Sequence, residues 1–322
     1  MSLRTLITGV AGFIGSRLAR ACLERGDEVV GVDSFTPYYD VQLKRTNVRG
    51  FAAHEHFLLA EQDLLGDGWQ HHLDDADVVF HQAAQPGVRA SWSTGFEDYT
   101  ARNVLATQRL LEAARERFED GAPLRRLVYA SSSSVYGDAM TFPTAEDLAP
   151  APFSPYGVTK LAAEHLCGVY ARNWGLPTVS LRYFTVYGGG QRPDMALHRM
   201  IEAALRSHAF PRFGDGSQRR DFTHVNDVVQ ANLLAAEADV TPGEVINIAG
   251  GSEATVADLL ELVGETVGTP VPVDQRPAQP GDVARTGGDT TKASQLLGWA
   301  PSVSLADGIK EQVEWHSHRL EG

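Results

Sequence analysis

The chain has 322 residues, 43% of them hydrophobic, and a formal net charge of −13. This length and apolar content predict one large globular unit or two lobes sharing a cleft, and they exclude a disordered chain. The negative charge argues against nucleic-acid and acidic-membrane partners, and no apolar run approaches the roughly 18 residues that a membrane helix needs.

The N-terminal run Met1-Ser2-Leu3-Arg4-Thr5 lacks the basic segment, apolar stretch and cleavage site of a signal peptide, so a cytoplasmic location is expected. Strand-like runs then fall at Thr5–Thr8, Glu28–Val32, Asp77–His81, Leu127–Ser131 and Thr178–Tyr183. Helical patterns lie between them at Phe13–Arg25, Tyr99–Phe118 and Tyr156–Trp174. That alternation predicts an α/β fold with a doubly wound parallel sheet. After about residue 185, Gly188–Gly190, Pro193, Pro211 and Gly214–Gly216 break the chain into shorter elements, which predicts a smaller C-terminal substrate-binding lobe. The expected division is residues 1–184, with returns near 221–248, and 185–322. In the returns, Asp221–Ala236 reads as a helix and Glu244–Ile248 as a strand, and the last helix is expected at Leu305–His318.

Cys22 and Cys167 are too few for a disulfide framework, and Cys22 falls in an amphipathic pattern as a buried thiol. His54, His56, His71 and His72 do not form a metal spacing, so no metal ligand is assigned. The Trp residues read as core or pocket wall.

Gly9-Val10-Ala11-Gly12-Phe13-Ile14-Gly15 follows the first strand and opens the first helix. Glycines there permit a tight turn, close approach of a pyrophosphate and tight helix–sheet packing, and the helix N-terminus offers unpaired N–H groups to phosphates. Asp33 ends the second strand, where a carboxylate takes the adenosine ribose hydroxyls and repels a 2′-phosphate; this favours NAD over NADP. A turn cap is the alternative role for Asp33. The set predicts a Rossmann dinucleotide-binding domain.

Tyr156-Gly157-Val158-Thr159-Lys160 places a phenol and an amine one helical turn apart, with Pro155 suited to the helix start. A nearby ammonium lowers a phenol's pKa, so Tyr156 could take a hydroxyl proton as hydride leaves the same carbon. The run Ser131-Ser132-Ser133-Ser134-Val135-Tyr136-Gly137 follows a strand at the carboxyl edge, and a hydroxyl there could bond the substrate oxygen.

The Gly-x-x-Gly-x-x-Gly spacing, with Tyr156-x-x-x-Lys160 and the serine run, resembles the extended short-chain dehydrogenase/reductase family over nearly the whole chain. By register with that family, Ser132 is the expected catalytic hydroxyl and Ser133 the second candidate. The resemblance also implies cofactor contacts at Asp63, Leu64, Gln82, Ala83, Ala84 and Tyr183, a structural role for Asn103, a UDP-sugar substrate and a homodimer through Tyr99–Phe118 and Tyr156–Trp174.

Four segments resemble the UDP-glucuronate 4-epimerases of that family: 38–44, Ala83–Arg89, Arg182–Gly188 with Arg192–Leu197, and Arg219–Asp227. They imply substrate contacts at Arg89, Ser132, Ser133, Ser134, Thr185, Arg192 and Arg220, with Asp282 in a late ribose-contacting motif. Galactose-type epimerases carry Asn where Thr185 stands, so its hydroxyl, with Ser133 or Ser134, could hold a sugar carboxylate. Gln279 replaces an expected arginine, and Arg276 is the suggested substitute. Related decarboxylases and dehydratases carry a carboxylate before Val135, where this chain has Ser133-Ser134. The implied reaction is redox-neutral: C4 hydride passes to a retained NAD and returns to the other face, without decarboxylation. A UDP-glucose-type 4-epimerase, a 4-reductase, and more distantly a non-catalytic NAD(H)-sensing protein are the alternatives.

Overall fold

A computed structural model describes residues 2–277 and 283–321. The strands are β1 (Arg4–Thr8), β2 (Glu28–Val32), β3 (Phe57–Ala60), β4 (Val78–His81), β5 (Arg126–Ser132), β6 (Thr178–Tyr183), β7 (Thr185–Tyr187), β8 (Phe210–Phe213), β9 (Arg219–His224), β10 (Glu244–Ile248), β11 (Ser252–Thr255) and β12 (Val273–Arg276). The helices are α1 (Phe13–Glu24), α2 (Val41–Arg49), α3 (Phe96–Tyr99), α4 (Ala106–Glu119), α5 (Pro155–Trp174), α6 (Ala196–Arg206), α7 (Val225–Glu237), α8 (Val256–Val267), α9 (Thr291–Leu297) and α10 (Leu305–Glu321).

Seven parallel strands form the main sheet in the order β10-β6-β5-β4-β1-β2-β3. The chain winds outward from β1 through β2 to β3, then crosses to the other side of β1 and continues through β4, β5, β6 and β10. That reversal between β1 and β4 leaves a crevice beyond the strands' carboxyl ends, where doubly wound sheets bind ligands. One sheet face packs under α1 and α7, with Leu18, Cys22, Val228 and Ala235 in its core; the other packs under α4 and α5, with Leu110, Leu111, Cys167 and Tyr170. A separate core of Met200, Ile201, Phe222, Leu259, Ile309 and Val313 joins α6, α8 and α10.

Local chemistry sets the helix that carries the motif. Ser154 caps α5 by accepting from the Gly157 N–H at 3.1 Å, Pro155 occupies the first turn, and Gly175 ends the helix at φ 68°. Residues 159, 160, 163, 164, 167, 170 and 171 form its buried face. Two of them, Lys160 and Glu164, are residues that rarely sit buried, and packing alone does not call for them there.

The structure corrects several expectations. The stretch expected as one helix at Tyr99–Phe118 is α3, a wide π-type turn at Thr100–Leu105, and α4. The turn carries the buried Asn103 side chain, which accepts from Gln85 N at 2.7 Å and donates to Thr159 Oγ1 at 3.0 Å. Residues 221–224 belong to strand β9 rather than a helix, because β9 pairs with β7 and β11 and the Asp221 carboxylate accepts from Gly250 N and Gly288 N. Trp69 and Trp299 are core, but Trp92 and Trp174 are 46% and 41% exposed and are neither core nor pocket wall. Both cysteines are free and buried, and burial pushes the Cys22 thiol up to about 12. Among the described residues no helix is long and apolar enough to cross a membrane.

Candidate active site

One cleft lies over the β1–β4 crevice. Its lining includes Gly9, Gly12, Phe13, Ile14, Gly15, Asp33, Asp63, Leu64, Gln82, Ala83, Ala84, Tyr156, Lys160 and Tyr183, so the residues assigned to the cofactor converge on it. Counted out to its mouth, it encloses about 1170 Å³.

The glycine turn is sterically obligatory. Gly9 has φ +71°, and a Cβ on it would stand 2.7 Å from Ala83 N; one on Gly15 would stand 2.2 Å from Gly9 O. Gly12 precedes α1 without any side-chain cap, and no acid lies in the first turn, so the helix start keeps its N–H groups for an anion. Asp33 accepts from Ala11 N at 3.0 Å and Phe35 N at 2.8 Å, so it does cap the turn, and it also faces the cleft. Burial raises its pKa, and those two N–H groups and the Lys44 charge work against the rise. A bare-backbone phosphate cradle beside a carboxylate fits NAD.

Tyr38, Tyr39, Lys44 and Arg102 also line the cleft without having been assigned to it. Lys44 Nζ donates to Thr36 O at 2.9 Å, and Arg102 Nη1 donates to Asp63 Oδ2 at 3.2 Å. The segment 38–44 stood out only by resemblance; its long-range placement carried no local signal.

Lys160 Nζ donates to Ala130 O at 2.7 Å, and burial draws its pKa down to about 7. Half-buried Tyr156 has its pKa raised by desolvation, opposed first by a hydrogen bond with Ser132 and then by the Arg192 charge. Arg192 is thus a positive group that favours the phenolate, and Lys160 stands one helical turn from Tyr156 in the same cleft. Among the serines, Ser132 is the one that acts to lower the Tyr156 pKa, and its Oγ also accepts from Ser134 N at 3.2 Å.

Deeper groups hold this set in place. Glu164 accepts from Ser131 Oγ at 2.6 Å and from Arg182 Nε and Nη2 at 3.0 and 2.6 Å, all buried. Tyr183 Oη donates to Asn232 Oδ1 at 2.9 Å and accepts from Gln82 Nε2 at 3.1 Å.

The residues expected at the substrate are less uniformly placed. Arg192 lines the cleft and pairs with Asp194 at 2.9 and 3.0 Å, and the Tyr38 hydroxyl reaches Asp194 from the opposite side at 3.5 Å. Ser132 ends β5 paired with Tyr183 of β6, and two residues on Thr185 opens β7, which pairs with β9 in the three-stranded sheet. Ser133 and Ser134 form the turn after β5. Arg89 packs on the Phe213 ring at 4.3 Å, and Arg220 Nη1 donates to Arg219 O at 2.9 Å; neither lines the cofactor cleft. Arg276 pairs with Asp274 and lines a second cleft together with Pro193 and Arg199. Gln279, Gly281 and Asp282 lie outside the described residues.

Known proteins share this architecture. A UDP-glucuronic acid 4-epimerase from Bacillus cereus, solved with UDP-glucuronic acid and NAD, superposes with a TM-score of 0.93 at 41% identity, covering 98% of this chain and 99% of that one. A probable UDP-glucuronate 4-epimerase of Rhizobium meliloti is 36% identical over 98% of this chain and 97% of its own length. An uncharacterized UDP-glucose epimerase of Bacillus subtilis, YtcB, is 39% identical over 99% of this chain and all of its own. Residues 5–249 match the model of the NAD dependent epimerase/dehydratase family, and the chain belongs to that family.

Proposed function

We propose that the protein is a 4-epimerase of UDP-glucuronate that retains its NAD and proceeds without decarboxylation. The glycine turn, Asp33 and Lys160 hold the dinucleotide. Bound NAD supplies the acceptor, and then the donor, of the C4 hydride. Tyr156 accepts the C4 hydroxyl proton and gives it back after the 4-keto sugar has turned over in the pocket. Ser132 bonds the same oxygen and shares the proton's path with Tyr156. The Arg192 charge favours the phenolate.

The observation that carries the substrate choice is the set of hydroxyls at the end of β5 (Ser132), in the turn after it (Ser133 and Ser134) and at the start of β7 (Thr185), with Ser133-Ser134 standing where related decarboxylases and dehydratases carry an acid. A 4-keto glucuronate is a β-keto acid, and it loses CO₂ only when the carboxylate bond stands perpendicular to the ketone plane. Hydroxyls that pin the carboxylate away from that geometry protect the intermediate. Asp282 would contact the ribose. The Bacillus subtilis relative favours a second reading, a UDP-glucose epimerase. Comparing kcat/KM for the two sugars separates them: UDP-glucuronate is expected to lead by at least about a hundredfold, the worth of two charge-assisted hydrogen bonds at about 1.5 kcal/mol each. Equal values, or a lead for UDP-glucose, would support the second reading.

We also read the protein as a homodimer. Leu105 and Val158, each 49% exposed, and Phe96 and Trp174, each 41% exposed, leave apolar side chains along the α3–α5 side.

A further inference from the structure

Outside the lining of the cofactor cleft, α6 and α10 bring together two imidazoles and a carboxylate. His198 and Glu202 stand one turn apart on α6, and His316 faces them from α10. One ligand atom from each lies within 4.8 Å of the others, with His198 Nε2 and Glu202 Oε1 3.6 Å apart. Both histidines are 1% exposed, and Nε2 of each is buried without a hydrogen-bond partner. Two orphaned imidazole nitrogens in one place are uncommon, because burying an unsatisfied polar atom costs free energy.

We infer that His198, Glu202 and His316 form a binding site for a zinc-class divalent ion. His198 Nδ1 lies 2.7 Å from Gln191 O; donating to that carbonyl fixes the tautomer that leaves Nε2 as a lone-pair donor, the usual arrangement of a metal-bound histidine. Burial also keeps both imidazoles neutral, His316 at about 3, which is their ligating form. With bonds of about 2.0–2.1 Å, a tetrahedral set needs ligand atoms about 3.3 Å apart, so side-chain shifts of about 1 Å close it around an ion and one water. Glu202 also lines a surface cleft with His208 and Asp274, which gives the ion a path in from solvent.

The surrounding charge selects the metal class. Arg319 Nη2 is 3.4 Å from the same Glu202 oxygen, and Arg206 also bears on His316. A single carboxylate already paired with a guanidinium disfavours calcium or magnesium, which bind through several charged oxygens. A borderline ion that gains from imidazole coordination is favoured. The ion would clamp α10 onto α6 and, through Gln191, onto the segment carrying Arg192.

Tag-free protein, equilibrated with zinc and gel-filtered, is expected to keep about one zinc per chain by elemental analysis. His316→Gln should lose most of it. Cobalt(II) titration of the wild type should give the visible bands of a four-coordinate site, a readout that does not depend on a variant folding. A strong chelator should lower the wild-type Tm and leave that of His316→Gln unchanged. No retained zinc, equal zinc in wild type and a folded His316→Gln, or a featureless cobalt titration would overturn the site.

Discussion

Burial acts in opposite senses on the two central groups: it raises the Tyr156 phenol and lowers the Lys160 amine, in each case disfavouring the charged form. The folded Lys160 pKa of about 7 lies below the ordinary 10.5, so between these values the unfolded chain binds the extra proton. The ligand-free protein therefore gains stability from this group as pH rises from 7 toward 10, and loses it as pH falls. Lys160→Met removes that slope while leaving the other titrating groups in place. The Tm advantage of Lys160→Met over wild type is expected to be largest near pH 7 and to shrink toward pH 10. A constant gap across that range would contradict the placement of a buried amine whose hydrogen-bond acceptor, Ala130 O, is uncharged.

At the scale of elements, β5, α5 and β6 are joined by the buried Glu164–Arg182 pair, which also holds Ser131, next to the proposed catalytic Ser132. Glu164→Ala leaves the Arg182 guanidinium buried without its carboxylate. It should cost about 3–5 kcal/mol in chemical denaturation, and Glu164→Gln, which keeps acceptor atoms, should cost less. The parts of the site legible beforehand are those written locally. Gly9, Gly12 and Gly15 announce a turn because only glycine fits it, and Tyr156 and Lys160 share one face because they lie four residues apart. Tyr38, Tyr39, Lys44 and Arg102 were not legible, since β-strand order rather than spacing brings them to the cleft. The strand at Arg219–His224 was masked for a related reason: its partners β7 and β11 are distant in sequence. His198 and His316, on separate helices, carried no spacing that joins them.

At the scale of the whole molecule, periodicity marks apolar faces without saying what covers them, and Trp92 and Trp174 proved exposed where core or pocket wall had been expected. A homodimer covering the α3–α5 side would account for such residues. Leu105→Glu combined with Val158→Glu is expected to halve the mass seen by light scattering, and an unchanged mass would place the contact elsewhere. The central claim is that one hydride leaves C4 and returns to the same carbon inside the closed site. UDP-glucuronate deuterated at C4, incubated without added NAD and followed by NMR, tests it directly. The expected result is UDP-galacturonate with deuterium retained at C4, and none from Tyr156→Phe. A C4-inverted product that has lost its deuterium, a decarboxylated pentose product, or no conversion by wild type would contradict it.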